Sequence, residues 1–139
     1  MKGNITLGII KPYAVEKGYC GPVLSRITEE GFRISAMKFI RLSKAQAAAF
    51  YAVHKDQPFF DPLVHVMNSG PSLILLLEKP DAVRSFRQLI GKTNPQEAAP
   101  GTLRRLYGES TVLNGFHGSD SDENALLESH FFFSLLERF

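Results

Sequence analysis

The sequence holds a single cysteine, Cys20, in 139 residues. No disulfide can form within the chain, and one thiol is a poor basis for a zinc site. Long hydrophobic runs are also missing. The longest early one, Ile5 to Ile10, is interrupted by Thr6 and Gly8 and ends in Lys11. It is too short to span a bilayer and badly flanked for a secretory signal. The sequon Asn4-Ile5-Thr6 therefore has no secretory context. Nor does one sign of charge dominate: 16 Lys and Arg against 14 Asp and Glu leave a formal net charge of +2. Nothing in that balance demands nucleic acid or an anionic membrane as partner. No repeat, low-complexity tract or linker divides the chain. The expectation is a soluble cytoplasmic protein in which residues 1–139 form one domain.

Hydrophobic periodicity and turn residues give the order of elements. Residues 4–10 read as a buried strand that stops at Lys11-Pro12. Gly21-Pro22 opens a helix whose apolar stripe is Val23, Leu24 and Ile27, and Gly31 ends it. Residues 32–42 alternate, with Phe32, Ile34, Ala36, Ile40 and Leu42 on one side and Arg33, Ser35 and Arg41 on the other, which predicts a half-buried strand. Ser43 can cap an alanine-rich helix over 44–54. A short helix over 61–68 follows, then Ser69-Gly70-Pro71 as punctuation. Ser72 to Leu77 is apolar after its first residue and reads as a central strand. Pro80 begins a helix to about Ile90. Residues 91–112 read mostly as loop, and a loop of that length in a compact domain usually has a use. A short strand near 112–117 and a last helix from Asp120 or Ser121 complete the chain. Stripped of insertions the order is βαββαβ, an α/β sandwich of the ferredoxin-like kind.

Asn114-Gly115-Phe116-His117-Gly118-Ser119-Asp120 is the segment richest in chemistry. It sets a histidine at a strand end, just before a helix start that offers free N–H groups to an anion. A neutral imidazole has a nucleophilic nitrogen near neutral pH. It can therefore accept a phosphoryl group as a covalent nucleophile. Glu128, eleven residues on, falls well inside the last helix. Lys11 directly follows a buried strand, where a charge needs a partner or an exit to water.

Asn-x-x-His-Gly-Ser-Asp resembles the signature of nucleoside diphosphate kinases. Other segments resemble the same family in the same order: Ile9-Ile10-Lys11-Pro12 with Ala14-Val15, Phe50-Tyr51-Ala52-Val53-His54-Lys55, and Pro58-Phe59-Phe60. Gly91-Lys92-Thr93-Asn94-Pro95 and Pro100-Gly101-Thr102-Leu103-Arg104 look like its long substrate loop. The set covers nearly the whole chain. The resemblance implies an antiparallel sheet with an added helical hairpin and that loop. It also implies transfer of a terminal phosphate between nucleoside tri- and diphosphates by ping-pong chemistry.

The same resemblance implies residue roles. His117 would be the phosphorylated nucleophile, with Ser119 and Glu128 holding its ring and Tyr51 lining the pocket. Lys11 would reach the transferring phosphate and the sugar hydroxyl, and Asn114 the sugar hydroxyl. Arg87, Thr93 and Arg104 would bind the other phosphates, a task that suits guanidinium forks. Phe59 would stack on the base, partly exposed, with Phe60 turned inward. Magnesium would bridge the nucleotide phosphates without dedicated protein ligands. The partners implied are nucleotides and further copies of the chain, with a hexamer favoured over a tetramer. Neither a membrane nor a nucleic acid is required.

Two decoys fail on spacing. Gly91-Lys92-Thr93 resembles the tail of a Walker A loop, but Phe86 stands where the pattern needs glycine. His54, His65 and His130 have no metal-ligand spacing with Cys20 or one another. The chain departs from the usual family string at Tyr13, at Leu106-Tyr107 and at Phe116. Phe131-Phe132-Phe133 reads as core or subunit contact. A βαββαβ RNA-binding domain would need the Lys/Arg-Gly-Phe/Tyr string on a central strand, which is missing.

Overall fold

The apolar run after Ser69-Gly70-Pro71 forms β3 (Ser72–Glu78), and six of its seven residues are buried, so both of its faces must be covered. In the computed structural model, which describes residues 3–139, β3 lies between β1 (Ile5–Ile10) and β2 (Arg33–Ile40). The short β4 (Phe116–Gly118) pairs on the far side of β1, giving the order β2-β3-β1-β4 with every neighbouring pair antiparallel. This is the expected βαββαβ sheet.

Alternation along β3 sorts its side chains into two layers. Leu73, Leu75 and Leu77 meet Val23 and Ile27 of α2 (Cys20–Glu29) and Phe86 and Leu89 of α5 (Ala82–Ile90). Ile74 and Leu76, with Leu7 and Ile9 of β1, meet Ala47 of α3 (Lys44–Phe50), Val64 and Met67 of α4 (Phe60–Asn68), and Phe132 of α7 (Asp122–Phe132). The inserted hairpin α3–α4 and the end of α7 thus roof the second face. Among the described residues no helix is long and apolar enough to cross a membrane.

Several boundaries differ from the sequence reading. Residues directly after β1 form a short helix, α1 (Pro12–Glu16), with Pro12 in its first turn; its five residues are too few to carry a periodic signal. The helix begun by Ser43 has a full capping box with Gln46 but stops at Phe50, followed by a single 3-10 turn over Ala52–His54. The long loop contains α6 (Leu103–Tyr107), started by the Thr102 hydroxyl, which accepts from Arg105 N. The strand near 112–117 is confined to Phe116–Gly118. Phe132 and Phe133 are core, whereas Phe131 is exposed.

The largest correction concerns β2. A β-bulge lies between Ile34, which faces Leu77, and Ala36, which faces Leu76. The extra residue reverses the side-chain alternation. Phe32 and Ile34 therefore pack in the first layer, while Ala36, Ile40 and Leu42 pack in the second. Ser35, expected on the polar side, is buried at the bulge, and its carbonyl accepts from the backbone N–H of Phe139 at 2.7 Å.

Two glycines oppose each other across the β1–β4 ladder, Gly8 and Gly118. The ring of Phe86 lies on both. A Cβ on Gly8 would stand 3.1 Å from it, and one on Gly118 2.9 Å from it and 3.1 Å from Ile90. Glycine at these two places lets α5 approach the sheet at the end that carries the site. Gly118→Ala should therefore destabilise the protein by about 1–3 kcal/mol, the usual range for overpacking. Urea unfolding measures this, and an unchanged midpoint would show that α5 can back away freely.

Candidate active site

Phe116 points into the first layer beneath α5, so the next residue in the strand, His117, must face the second, beneath α3 and α7. The Ser121 hydroxyl caps α7 by accepting from Asn124 N, and Asp122 and Glu123 complement the positive helix end. Two turns further on, Glu128 reaches the imidazole. Its Oε1 lies 2.9 Å from His117 Nε2 and also accepts from the Ser119 hydroxyl at 2.7 Å. The Ser119 oxygen in turn accepts from Leu7 N in β1 at 3.1 Å. A carboxylate at Nε2 favours the tautomer protonated there, which leaves the lone pair on Nδ1.

Aromatic rings enclose the imidazole. Phe50 lies 5.3 Å from it, centroid to centroid, at 68°, and Tyr51 lies 6.1 Å from it at 81°. The Tyr51 hydroxyl is buried without a hydrogen-bond partner. Burial, and then the nearby Glu128 carboxylate, push its pKa well above the ordinary tyrosine value.

The cations lie on the other side. Lys11, 6% exposed at the end of β1, donates from Nζ to Asn114 Oδ1 at 3.2 Å. Asn114 is itself buried, and its amide nitrogen donates to the carbonyls of Thr93 and Thr111. Burial, with the Arg104 charge second, lowers the Lys11 pKa to about 7. Gly91 closes α5 at φ 87°, a left-handed backbone that suits glycine, and turns the loop back toward the sheet. Arg104 then donates to the carbonyls of Gly91 and Phe116, both at 2.8 Å, while its buried Nε has no partner. Burial and then the Arg87 charge lower its pKa to about 10.

One cleft joins the imidazole to Arg87, Thr93 and Arg104, while Lys11 and Asn114 are not among the residues that line it. A part of about 220 Å³ is lined by Tyr51, Phe59, Arg87, Thr93, His117 and Glu128, among others. The adjoining part, about 530 Å³, shares Arg87, Thr93 and Gly118 and adds Arg104 and Lys92. Phe59 stands at the rim, 43% exposed, while Phe60 packs inward. A histidine with one nitrogen held and the other free thus opens onto a basic cleft with an aromatic rim. That is the layout for a phosphate-bearing ligand with a flat ring. A family model described as nucleoside diphosphate kinase matches residues 4–137.

The chain belongs to the nucleoside diphosphate kinase family.

It is 52% identical to nucleoside diphosphate kinase of Chlamydia abortus over 132 residues, covering 95% of this chain and 94% of that one. Identity to the Campylobacter concisus protein of the same name is 53% over 132 residues, covering 95% and 96%. Among solved structures, nucleoside diphosphate kinase of Aquifex aeolicus superposes with a TM-score of 0.96 at 43% identity, over 98% of this chain and 99% of that one. The halophilic nucleoside diphosphate kinase from Halobacterium salinarum, in complex with CDP, gives 0.94 at 37% identity, over 99% and 92%.

Two residues stand differently from what the resemblance to nucleoside diphosphate kinases implied. Ser119 reaches the imidazole only through Glu128, because its hydroxyl is turned between that carboxylate and Leu7 N. Arg104 has one nitrogen on each of two backbone carbonyls, so it ties the long loop to β4 as well as facing the cleft. Sequence reasoning missed Phe50 as a neighbour of His117; its place at the end of α3 gave no sign of which ring it would meet. Two family departures, Tyr107 and Phe116, are neighbours, with ring centroids 6.4 Å apart.

The depressed Lys11 has a thermodynamic signature. Its folded pKa of about 7 lies below the ordinary 10.5. The unfolded chain therefore binds the extra proton between those values, and stability rises with pH there, by up to roughly 1.4 kcal/mol per pH unit. Below pH 7 the cost of burying the charge is fully present. Urea melts of wild type and Lys11→Met across pH 7–10 should diverge in favour of wild type as pH rises. A gap that stays constant with pH would mean Lys11 keeps its proton when folded.

Proposed function

We propose that the protein transfers the terminal phosphate of a nucleoside triphosphate such as ATP to a nucleoside diphosphate in two steps through His117. The observation that carries this reading is the pairing of Nε2 with Glu128 on a ring that opens onto the Arg87 and Thr93 cleft. In the first step the Nδ1 lone pair attacks the terminal phosphorus. A nitrogen–phosphorus bond forms, the bridging phosphorus–oxygen bond breaks, and the nucleoside diphosphate leaves with that electron pair. Glu128 balances the positive charge that the imidazole gains. In the second step a terminal oxygen of another diphosphate attacks the phosphohistidine and restores the free ring.

The remaining residues bind and orient. Phe59 offers its face to a base with little selectivity. Lys11, braced by Asn114, supplies charge to the moving phosphoryl oxygens, and the unpartnered Tyr51 hydroxyl is a donor beside His117. Asn114 and Lys11 also suit a sugar hydroxyl. Arg87, Thr93 and Arg104 hold the phosphates that do not move, where preformed positive charge is most effective. Among the described residues no cluster of three or more His, Cys, Asp or Glu could hold a metal. A magnesium ion would arrive with the nucleotide, because it needs few protein ligands beside phosphates and water. When bound, the ion neutralises phosphate charge. A nucleoside diphosphate as occupant agrees with the CDP complex of the Halobacterium salinarum protein. We place this activity in the cytoplasm.

Incubation with radiolabelled ATP and magnesium should label wild type and leave His117→Ala unlabelled, and cold diphosphate should discharge the label. An unlabelled wild type, or a labelled Ala variant, refutes the reading. We also propose a hexamer. Exposed Met37 and Phe39 on the edge strand and Leu135, Leu136 and Phe139 in the C-terminal segment are apolar surface suited to assembly. Light scattering should give six times the 15.5 kDa chain mass; four times would favour the tetramer.

A further inference from the structure

A hydrogen bond at one nitrogen does not by itself fix an imidazole. The ring can still tilt about the bond to Glu128, and each tilt swings Nδ1 across the cleft. In-line attack tolerates little of that motion, because reacting atoms must stay close and aligned. Something must therefore hold the plane of the ring. We propose that Phe50 is a positioning residue for His117, and that its ring fixes the imidazole plane so that Nδ1 stays directed at the phosphate cleft. The inference rests on His117 being the nucleophile.

Three observations carry it. The Phe50 ring meets the imidazole at 5.3 Å and 68°, a steep contact of the kind aromatic pairs prefer. Tyr51 meets it at 81°, so two neighbouring residues at the end of α3 supply rings at steep angles to it. Phe50 is itself held in place: Tyr51 lies 4.8 Å away, Phe132 5.0 Å and Phe131 5.3 Å. A side chain with three aromatic neighbours has little freedom and can pass that rigidity on. Phe50 also lines the same cavity as His117 and Glu128. It has no polar atom to offer a phosphate, and contact with a base would show in KM, so an effect confined to kcat runs through the imidazole.

Volume and shape separate by substitution. Phe50→Leu keeps an apolar side chain and loses the flat ring; Phe50→Tyr keeps the ring. We expect Phe50→Leu to lower kcat by about tenfold or more, with KM for either nucleotide within about twofold, since the lost alignment acts in the transition state. Phe50→Tyr should restore most of kcat. Nitrogen NMR of the nucleotide-free protein gives an independent reading. Wild type should show one His117 tautomer, protonated at Nε2, and Phe50→Leu a mixed or broadened pair of ring nitrogens. Wild-type kcat in Phe50→Leu overturns the inference. So does a loss of kcat that Phe50→Tyr fails to restore, or one with unchanged His117 ring signals, because Phe50 would then serve only the fold. Failure of wild type to label from ATP is a different result: it removes the nucleophile and this inference with it, whereas an active wild type matched by Phe50→Leu removes this inference alone.

Discussion

The site depends on how closely one helix can approach one pair of strands. Phe86 lies on Gly8 and Gly118, which face each other in the ladder. That contact fixes α5 over the sheet. Its next residue, Arg87, then stands exposed in the cleft, and its end at Gly91 turns the loop that carries Thr93 and Arg104. Gly118 is also the residue after His117. The packing that sets the Arg87 and Thr93 side of the cleft therefore touches the backbone that carries His117. The residue that rules out a Walker A loop by occupying a glycine position is thus the anchor of the cleft's basic side.

Electrostatics on the two sides of that backbone oppose each other. Glu128 and the Tyr51 hydroxyl stand near His117, while Lys11, Arg87 and Arg104 crowd together without a neutralising carboxylate among their hydrogen bonds. The depressed Lys11 and Arg104 values are the mark first of burial and then of that crowding. A polyphosphate would relieve both at once. The fold itself holds these cations close together, and the backbone tie at Arg104 contributes to this.

Much of this was legible in the sequence. The apolar run of β3, the capping serine of α3 and the turn residues placed the main elements because each has a local physical signature. The motif around His117, and its pairing with Glu128 eleven residues on, were readable through the resemblance to nucleoside diphosphate kinases, since nothing local marks Glu128 apart from a solvated helix face. Other features had no local signature. The Ser35 bulge arises from pairing with β3, and alternation alone assigned Ser35 to the wrong face. Ser119 was linked to the ring, but only the packing of β1 shows its hydroxyl divided between Leu7 N and Glu128. Arg104 was read through the family resemblance, whereas its carbonyl contacts depend on a loop path that proline and glycine positions do not determine. A glycine inside an apolar strand does signal close approach, so Gly8 could have pointed to Phe86.

The bulge in β2 has a consequence for how this chain can vary in length. Residues before Ser35 pack in one layer and residues after it in the other, so the strand counts one residue more than its partner. Deleting a residue there would not merely shorten an edge strand. It would turn Phe32 and Ile34, or else Ala36, Ile40 and Leu42, toward the wrong layer. The C-terminal segment reads the same count, because Phe139 N bonds to the bulged Ser35 carbonyl. Insertions and deletions in this edge strand are therefore constrained by both layers and by the end of the chain, even where the identity of a single side chain is not.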